Sequence, residues 1–485
     1  MQSKNELTSL SVIEAAALLK SRSISSRELT EAYLKKTEKN DEGIRAYITV
    51  CKNRALLCAD KADETLRLGE FAPLCGIPYA LKDNICTKGL PTTCASKLLE
   101  NFIPPYDAFV AEELNVQNAV LLGKTNLDEF GMGSSTENSA FFKTSNPLDK
   151  KRSPGGSSGG SAAAVCSDEA AFALGSDTGG SVRLPSAFCG IVGMAPTYGA
   201  VSRNGLIAFA SSLDRIGPMT KNVKDNAFVL SQICKKDVND PTSVGISDSN
   251  LLFETEKGVS KMRLAIPEEL FSDSVSADIK REITKAAATY EKLGARVDYV
   301  SMPSIRHALS AYYIISSGEA SANLSRYDGI RFGKRAGGKA LDEIYKNTRS
   351  AFLGDEVKRR IILGTFILSA GYCDKYYKKA LAVKERLKQE FDALLSVYDA
   401  IISPVYPSSA PIMGKSGLSL EEVYKNDAFT VPSSIAGLPS LTLPCGKDDL
   451  GLPVGIQIIS KAFSESKLYR IGFALESEVA EVRHG

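Results

Sequence analysis

Hydrophobic positions follow a helical spacing in some parts of the chain and form short continuous runs in others. Residues 1–70 carry mainly the helical spacing. Ser25 and Glu28 stand at the separation of a capping box, and Leu29 and Tyr33 follow at helical intervals. We therefore expect the chain to open with an N-terminal helical segment.

Short apolar runs of the length typical of buried strands recur through the rest of the chain. They lie at residues 77–81, 119–122, 170–174, 262–266, 400–402, 440–443 and 454–459. Helical patterns separate these runs, most clearly at residues 277–293 and 356–395. The alternation predicts an α/β fold in which a central mixed β-sheet is covered by helices on both faces.

The chain shows no internal repeat and no Pro-rich or charged linker that would divide it into separate units. This pattern favours one large domain over residues 1–485. Polar and irregular segments are densest at residues 245–345, where a helical insertion is expected. The motifs that could carry chemistry fall within residues 76–215, so we expect the catalytic core there.

Composition and charge exclude several classes of function. Hydrophobic residues make up 44% of the chain, and 59 Lys and Arg nearly balance 57 Asp and Glu. The densest basic cluster, Lys358-Arg359-Arg360, is too small to bind a nucleic acid by itself. Ten scattered cysteines without a C-x-x-C pair argue against a metal site, and no apolar run has membrane-spanning length. A soluble, cytoplasmic protein is expected.

Two Gly/Ser tracts, at residues 153–161 and 175–181, are the most distinctive feature of the sequence. Such tracts are often flexible linkers, but both of these adjoin apolar elements, where linkers are not expected. Neither tract has the spacing of a phosphate-binding loop. Closely spaced glycines can instead turn backbone N–H groups toward one point, as an oxyanion hole requires. Ser181 follows such a turn and is a candidate nucleophile.

A serine nucleophile needs an activating base, which could be a carboxylate, a histidine or a lysine with a lowered pKa. The chain has only two histidines: His307 in a helical run, and His484 one residue from the last position. Lys82 directly follows the apolar run 77–81, so burial could lower the pKa of its ammonium group. The spacing alone does not distinguish this role from that of an ordinary solvated lysine.

Lys82 and the two Gly/Ser tracts together resemble the amidase-signature family, in an order and spacing that extend over nearly the whole chain. Segments 126–130 and 133–141 further resemble the A subunits of Glu-tRNA(Gln)/Asp-tRNA(Asn) amidotransferases. The same resemblance is carried by Tyr198-Gly199, Ser202-Arg203, Gly205-Leu206 and the segment 209–214. The resemblance implies the amidase-signature fold and a glutaminase that supplies ammonia for amidation of glutamyl-tRNA(Gln), and possibly of aspartyl-tRNA(Asn).

The resemblance also implies a role for each residue of a Ser-Ser-Lys relay. Ser181 would be the nucleophile that forms an acyl-enzyme, and Lys82 would be the base. Ser157 would pass protons between them, and the family holds this serine through a cis peptide bond. The oxyanion hole would consist of backbone N–H groups on the nucleophile loop, those of Thr178, Gly179, Gly180 and Ser181.

Three substrate-binding residues are expected on the same grounds. An arginine would bind the α-carboxylate of glutamine and an aspartate its α-ammonium group, as suits a free amino acid. The matching positions are Arg360, preferred over Arg359, and Asp427, with Tyr312 lining the pocket. Without the resemblance, Arg360 could be a surface helical charge and Asp427 a turn residue or helix cap.

The resemblance implies two partner subunits and no cofactor or metal in this chain. A B-type kinase/transamidase subunit would activate the tRNA with ATP and Mg²⁺ and hold most of the tRNA, and a small C-type subunit would complete the assembly. No membrane contact is expected. A free-standing amidase acting on another small amide is the first alternative, and a catalytically silent scaffold subunit is the second.

Overall fold

A computed structural model of the chain describes residues 7–246, 251–272, 274–414, 424 and 426–484, the side chains of 426 and 480–484 excepted. Its centre is one mixed sheet of 11 strands in the order β1-β3-β2-β4-β6-β5-β10-β11-β9-β7-β8. The strands are β1 Tyr47–Val50, β2 Pro78–Lys82, β3 Val120–Thr125, β4 Phe172–Asp177, β5 Val192–Ala195, β6 Arg215–Thr220, β7 Arg263–Pro267, β8 Arg296–Val300, β9 Ala400–Pro404, β10 Ser440–Lys447 and β11 Pro453–Ile459.

Helices pack against this sheet, and the predicted α/β class with a central mixed sheet is confirmed. The α-helices are α1 Val12–Lys20, α2 Ser26–Ile44, α3 Lys52–Arg67, α4 Phe109–Val116, α5 Gly159–Cys166, α6 Arg183–Cys189, α7 Val223–Ile233, α8 Ala277–Lys292, α9 Ala308–Asn323, α10 Leu341–Phe352, α11 Asp355–Leu368, α12 Lys378–Leu395, α13 Val431–Ile435 and α14 Glu465–His484. In the ranges described, no helix is both long and apolar enough to cross a membrane.

The N-terminal segment differs from the expectation for residues 1–70 in one respect. The capping box is present, since Ser25 Oγ accepts from Glu28 N at 3.0 Å and Glu28 Oε2 accepts from Ser25 N at 2.9 Å. Between α2 and α3, however, β1 pairs antiparallel with β3 at the edge of the sheet. A strand of four residues is too short to give a period-2 pattern that stands out from its helical surroundings.

Two further segments differ from the helical patterns of the sequence. The helix expected at 356–395 is divided into α11, a π-helical turn at Cys373–Tyr377 and α12. Gly371 lies between them with φ of +81°, a conformation that ends a helix. Within residues 245–345, β7 and β8 extend the sheet in addition to the helices found there. The insertion at 245–345 stays a prediction.

The order of the central strands brings the chemically interesting segments together. β2 pairs parallel with β3 on one side and with β4 on the other. The carboxyl ends of these strands therefore lie at the same edge of the sheet. Lys82 is the last residue of β2, and Asp177 is the last residue of β4, directly before the nucleophile loop.

Candidate active site

Lys82 is completely buried at the end of β2, with its amine surrounded by hydroxyl groups. Nζ lies 2.7 Å from Ser157 Oγ, 2.8 Å from Ser158 Oγ and 2.9 Å from Ser176 Oγ. It also lies 3.3 Å from the Ser176 carbonyl oxygen. Burial lowers the pKa of Lys82 to about 7, because an ammonium group loses its hydration there. This lysine can therefore exchange a proton near neutral pH.

The first Gly/Ser tract forms a tightly packed loop in front of α5. The Gly156–Ser157 peptide bond is cis, and Ser157 is 1% exposed. Gly155 has φ of +81°, and a β-carbon there would lie 2.8 Å from Pro185 Cα, so only glycine fits. Ser158 N donates to Ser181 O at 3.1 Å, which joins this loop to the second tract.

The second tract is anchored by the carboxylate of Asp177. Its two oxygens accept from Gly180 N at 2.9 Å and from Val182 N at 3.1 Å. Asp177 also forms a fully buried ion pair with Arg183 at 3.0 Å. Although burial alone would raise the pKa of Asp177, the Arg183 guanidinium holds it well below its usual range. The loop is thus folded around a permanent negative charge.

The backbone N–H groups of this loop have different environments. The Gly180 N–H is already used by Asp177. The N–H groups of Thr178, Gly179 and Ser181 make no hydrogen bond to any residue that the structure describes. Three of the four predicted oxyanion donors can therefore receive a ligand oxygen without first breaking a contact.

Arg183 connects the nucleophile loop to the segment 430–434. Its Nη1 donates to Thr430 O and Ser433 Oγ, both at 2.8 Å, and its Nη2 donates to Ser434 Oγ at 2.6 Å. Thr430 Oγ1 in turn donates to Gly179 O at 2.5 Å. These bonds hold the loop rigidly beside the part of the chain that carries Asp427.

A cavity of about 550 Å³ opens next to Ser181. One end is lined by the nucleophile loop, and the other by tyrosines and charged residues of α9 and α11 together with Tyr424, Asp427 and Thr430. Tyr312 packs against the loop, since a β-carbon on Gly179 would lie 2.5 Å from its hydroxyl oxygen. A larger cavity of about 740 Å³, near Arg152 and Lys221, contains none of the predicted site residues.

Arg360 lies at the far end of the smaller cavity, between two aromatic rings. Its guanidinium carbon is 4.4 Å from the ring centre of Tyr313 and 5.0 Å from that of Tyr424. Nε donates to Glu356 Oε1 at 2.7 Å, whereas Nη1 is buried without a hydrogen-bond partner in the described part of the chain. A buried cationic donor without a partner is costly, which suits a site for an anionic ligand.

Arg359 is placed differently from its neighbour. Its side chain is 41% exposed, against 5% for Arg360, and it pairs with Glu356 at the rim of the cavity. Asp427 accepts a hydrogen bond from the hydroxyl of Tyr313. Burial raises the pKa of Asp427 to about 6, so it is ionised at neutral pH.

The cavity is lined by six of the predicted residues, Gly179, Gly180, Ser181, Tyr312, Arg360 and Asp427, whereas Lys82, Ser157 and Thr178 are buried and do not line it. Lys82 and Ser157 are hydrogen-bonded, and Ser181 lies on the adjoining loop, although its hydroxyl makes no hydrogen bond among the described residues. His307 is exposed on the 3₁₀ helix Pro303–His307. The side chain of His484 falls outside the described residues.

Several side chains of the site had no predicted role, although Ser158 and Ser176 lie within the two Gly/Ser tracts. Ser158 and Ser176 complete the surroundings of the Lys82 amine, but only the three-dimensional path of the loops brings them there. Glu356, Tyr313 and Tyr424 hold Arg360 and Asp427. Within the described ranges, no group of three or more His, Cys, Asp or Glu side chains could hold a metal ion.

Known proteins provide independent comparisons. A family model described as Amidase matches residues 28–469. The glutamyl-tRNA(Gln) amidotransferase A subunit of Thermoanaerobacter pseudethanolicus is 49% identical over 472 residues, which cover 97% of this chain and 96% of the relative. The A subunit of the same enzyme from Geobacillus kaustophilus is 49% identical over 468 residues, 96% of each chain.

Two solved structures are also similar to this chain over nearly its full length. The crystal structure of the glutamyl-tRNA(Gln) amidotransferase A subunit from Thermotoga maritima matches with a TM-score of 0.82 at 40% identity, covering 98% of this chain and 96% of that one. Native peptide amidase from Stenotrophomonas maltophilia matches with a TM-score of 0.83 at 30% identity, covering 97% of both.

Proposed function

The chain belongs to the amidase-signature family, and on that premise we propose that Ser181, Ser157 and Lys82 hydrolyse the side-chain amide of glutamine. The chain is an amidase-type enzyme and acts as the glutaminase subunit of a tRNA-dependent amidotransferase. The observation that carries the residue roles is the 2.7 Å contact between the buried Lys82 amine and the Ser157 hydroxyl, beside the cavity that Ser181 lines.

In the acylation step, Ser181 Oγ attacks the amide carbonyl carbon of glutamine. The proton of Ser181 passes to Ser157, and the proton of Ser157 passes to the neutral amine of Lys82. The carbonyl oxygen gains the negative charge and accepts hydrogen bonds from the free N–H groups of Thr178, Gly179 and Ser181. Gly180 could join them only by releasing Asp177.

Collapse of this intermediate breaks the carbon–nitrogen bond. The Lys82 ammonium returns its proton through Ser157 to the departing amine, which leaves as ammonia, and Ser181 remains as a glutamyl ester. Water then attacks the ester carbonyl and loses its proton to the same relay, so glutamate leaves and Ser181 regains its hydroxyl. Every proton taken up by Lys82 is released within the cycle.

The opposite end of the cavity supports the choice of glutamine as substrate. Arg360 has a buried Nη1 without a hydrogen-bond partner among the described residues, which suits the α-carboxylate, and the buried carboxylate of Asp427 suits the α-ammonium group. Tyr312 would line the space between them and the nucleophile loop. A simple aliphatic amide has neither charged group, so it would offer no opposite charge to Arg360 or Asp427.

The ammonia is proposed to pass to a B-type partner subunit that activates the tRNA with ATP and Mg²⁺, in a cytoplasmic complex completed by a C-type subunit. Support comes from the near-balanced charge of this chain and from relatives that are themselves named as subunits. The free-standing amidase alternative is not favoured, because relatives at 46–49% identity over 96–99% of the chain carry the subunit name.

The test is glutamine hydrolysis by the purified complex with Ser181→Ala. We expect a loss of at least about 10³-fold in kcat, because the variant lacks the hydroxyl that forms the acyl-enzyme. Ser134→Ala, which removes a hydroxyl from the same cavity wall, is the matched control and should leave kcat within about twofold. Full glutaminase activity in Ser181→Ala would refute the proposed nucleophile.

A further inference from the structure

Asp128 is a fully buried carboxylate that belongs to none of the roles assigned so far. It precedes the 3₁₀ helix Glu129–Gly131 and faces the loop 133–138, which lines the active-site cavity. Its Oδ2 accepts from Thr136 N at 2.9 Å, and its Oδ1 accepts from Asn138 N at 3.1 Å. The carboxylate therefore shapes one wall of the cavity.

The same residue also contacts the loop that carries the relay serine. Asp128 N donates to Ser157 O at 3.3 Å. A β-carbon on Gly156 would lie 2.2 Å from Asp128 Oδ2, so the carboxylate packs directly against the Gly156–Ser157 peptide. Asp128 thus contacts the Gly156–Ser157 peptide twice, through its own backbone N–H and through its carboxylate.

The charge of Asp128 is not neutralised by a neighbouring cation. In the part of the chain that is described, it forms no ion pair, and Lys82 is the cation whose attraction acts on it. Asp177, by contrast, is neutralised by Arg183 and Arg215 at 3.0 and 3.5 Å.

Four groups act electrostatically on the Lys82 amine. After the dominant effect of burial, which lowers the pKa of Lys82, Asp128 is the strongest of the charges that raise it again. The others facing the amine are Asp177, Asp214 and Cys94. Burial raises the pKa of Asp128 itself to about 6, so most of it is ionised at pH 7, near the pKa of Lys82.

We propose that Asp128 is a positioning residue of the relay, one that fixes the Gly156–Ser157 peptide and stabilises the protonated form of Lys82 by its charge. Asp128 touches neither the substrate nor the reacting atoms and acts through Ser157 and Lys82. The inference rests on the relay proposed above, and it adds a group whose charge shifts the pH range in which the relay works.

The test is the pH dependence of glutamine hydrolysis by the complex with Asp128→Asn. Loss of the negative charge destabilises protonated Lys82 and lowers its pKa, so the rise of kcat/KM should move to lower pH by about one unit. The value at the optimum should fall about tenfold, because Ser157 is less well fixed. A purely structural role would lower the activity without displacing the profile, and an undisplaced profile overturns the inference.

Asp225→Asn is the matched control. Asp225 is also a buried carboxylate that accepts from two backbone N–H groups, those of Val12 and Ile13, but it is not among the groups that act on Lys82. Its pH profile should coincide with that of the wild type.

Asp128→Asn could misfold, because its side-chain amide places a hydrogen-bond donor near the N–H groups of Thr136 and Asn138. A second variant is therefore needed. Asp128→Ala loses the charge without adding a donor, and its pH profile must show the same displacement.

The proposed relay and the proposed role of Asp128 can be refuted independently. If Ser181→Ala is active, the relay itself is wrong. If Ser181→Ala is inactive but the Asp128 variants keep the wild-type profile, only the role of Asp128 is wrong.

Discussion

Lys82 Nζ and Ser157 Oγ lie 2.7 Å apart, and both side chains are sealed from solvent. Lys82 is the last residue of β2, and Ser157 lies on the loop before α5, so two distant segments meet at one edge of the sheet. An amine in this position loses its hydration and lies among three hydroxyl groups and one carbonyl oxygen, so its neutral form is accessible near neutral pH. The contact explains how a serine could be activated without a histidine.

The rate of glutamine hydrolysis should rise with pH through the pKa of Lys82, which is about 7. The relay needs the neutral amine, so the active fraction is small below that pKa and approaches its maximum above it. The measurement is kcat/KM for the complex between about pH 5.5 and 9, with folding checked by circular dichroism at each pH. A rate that is independent of pH across this range would contradict the assignment of Lys82 as the base.

Arg360→Ala should raise KM for glutamine by about 10- to 100-fold with a smaller effect on kcat, since a charge-assisted contact to the α-carboxylate is lost. Arg359→Ala is the matched control, because this neighbouring arginine is 41% exposed and pairs at the rim. It should change KM by less than about threefold. Equal effects of the two substitutions would show that Arg360 is not the residue that binds the carboxylate.

Gly179→Ala should impair catalysis although it adds only a methyl group. The new β-carbon would lie 2.5 Å from the Tyr312 ring, so the nucleophile loop or the tyrosine must move. Displacement of an oxyanion donor costs about 10²-fold or more in kcat. Gly337→Ala, where nothing lies within 4 Å of the added carbon, should behave as the wild type. An unaffected kcat in Gly179→Ala would argue against an oxyanion hole in this loop.

Asp177→Asn should strongly destabilise the protein. The substitution leaves the buried guanidinium groups of Arg183 and Arg215 without their carboxylate, which typically costs about 3–5 kcal/mol. Asp149→Asn breaks an ion pair with Arg152 in which the Asp149 side chain is 37% exposed, and it should cost less than about 1 kcal/mol. The measurement is the urea concentration at the unfolding midpoint of each variant. Similar midpoints for Asp177→Asn and Asp149→Asn would contradict the expected difference in stability.

Local patterns predicted those parts of the fold that depend on neighbouring residues. The capping box at Ser25 and Glu28 is confirmed because both partners lie within one helical turn. Continuous apolar runs predicted β2, β3 and β4, whose residues are buried throughout. The strands β5 and β6 escaped prediction, since β5 has only four residues and β6 is interrupted by glycine and proline.

Those features of the site that depend on residues close together in the sequence could also be predicted. The glycine-rich turn of the second tract identified Ser181 as a candidate nucleophile, and the resemblance gave roles to both Ser157 and Ser181. The choice between Arg359 and Arg360 depended on which side of α11 faces the cavity, and the structure shows Arg360 to be the buried one. Asp128 lies in the segment 126–130 that carries the resemblance, but neither it nor Glu356 had a predicted role.

The sequence by itself determined the kinds of groups available: two glycine-rich tracts with serines, a lysine at the end of a buried strand and no histidine near them. Only the tertiary structure decided that Lys82 is dehydrated, that Ser157 reaches its amine and that the Gly180 N–H is taken by Asp177. Exclusion of water and hydrogen bonds between distant segments set the pKa and the orientation of each group, and both arise only when the strands assemble.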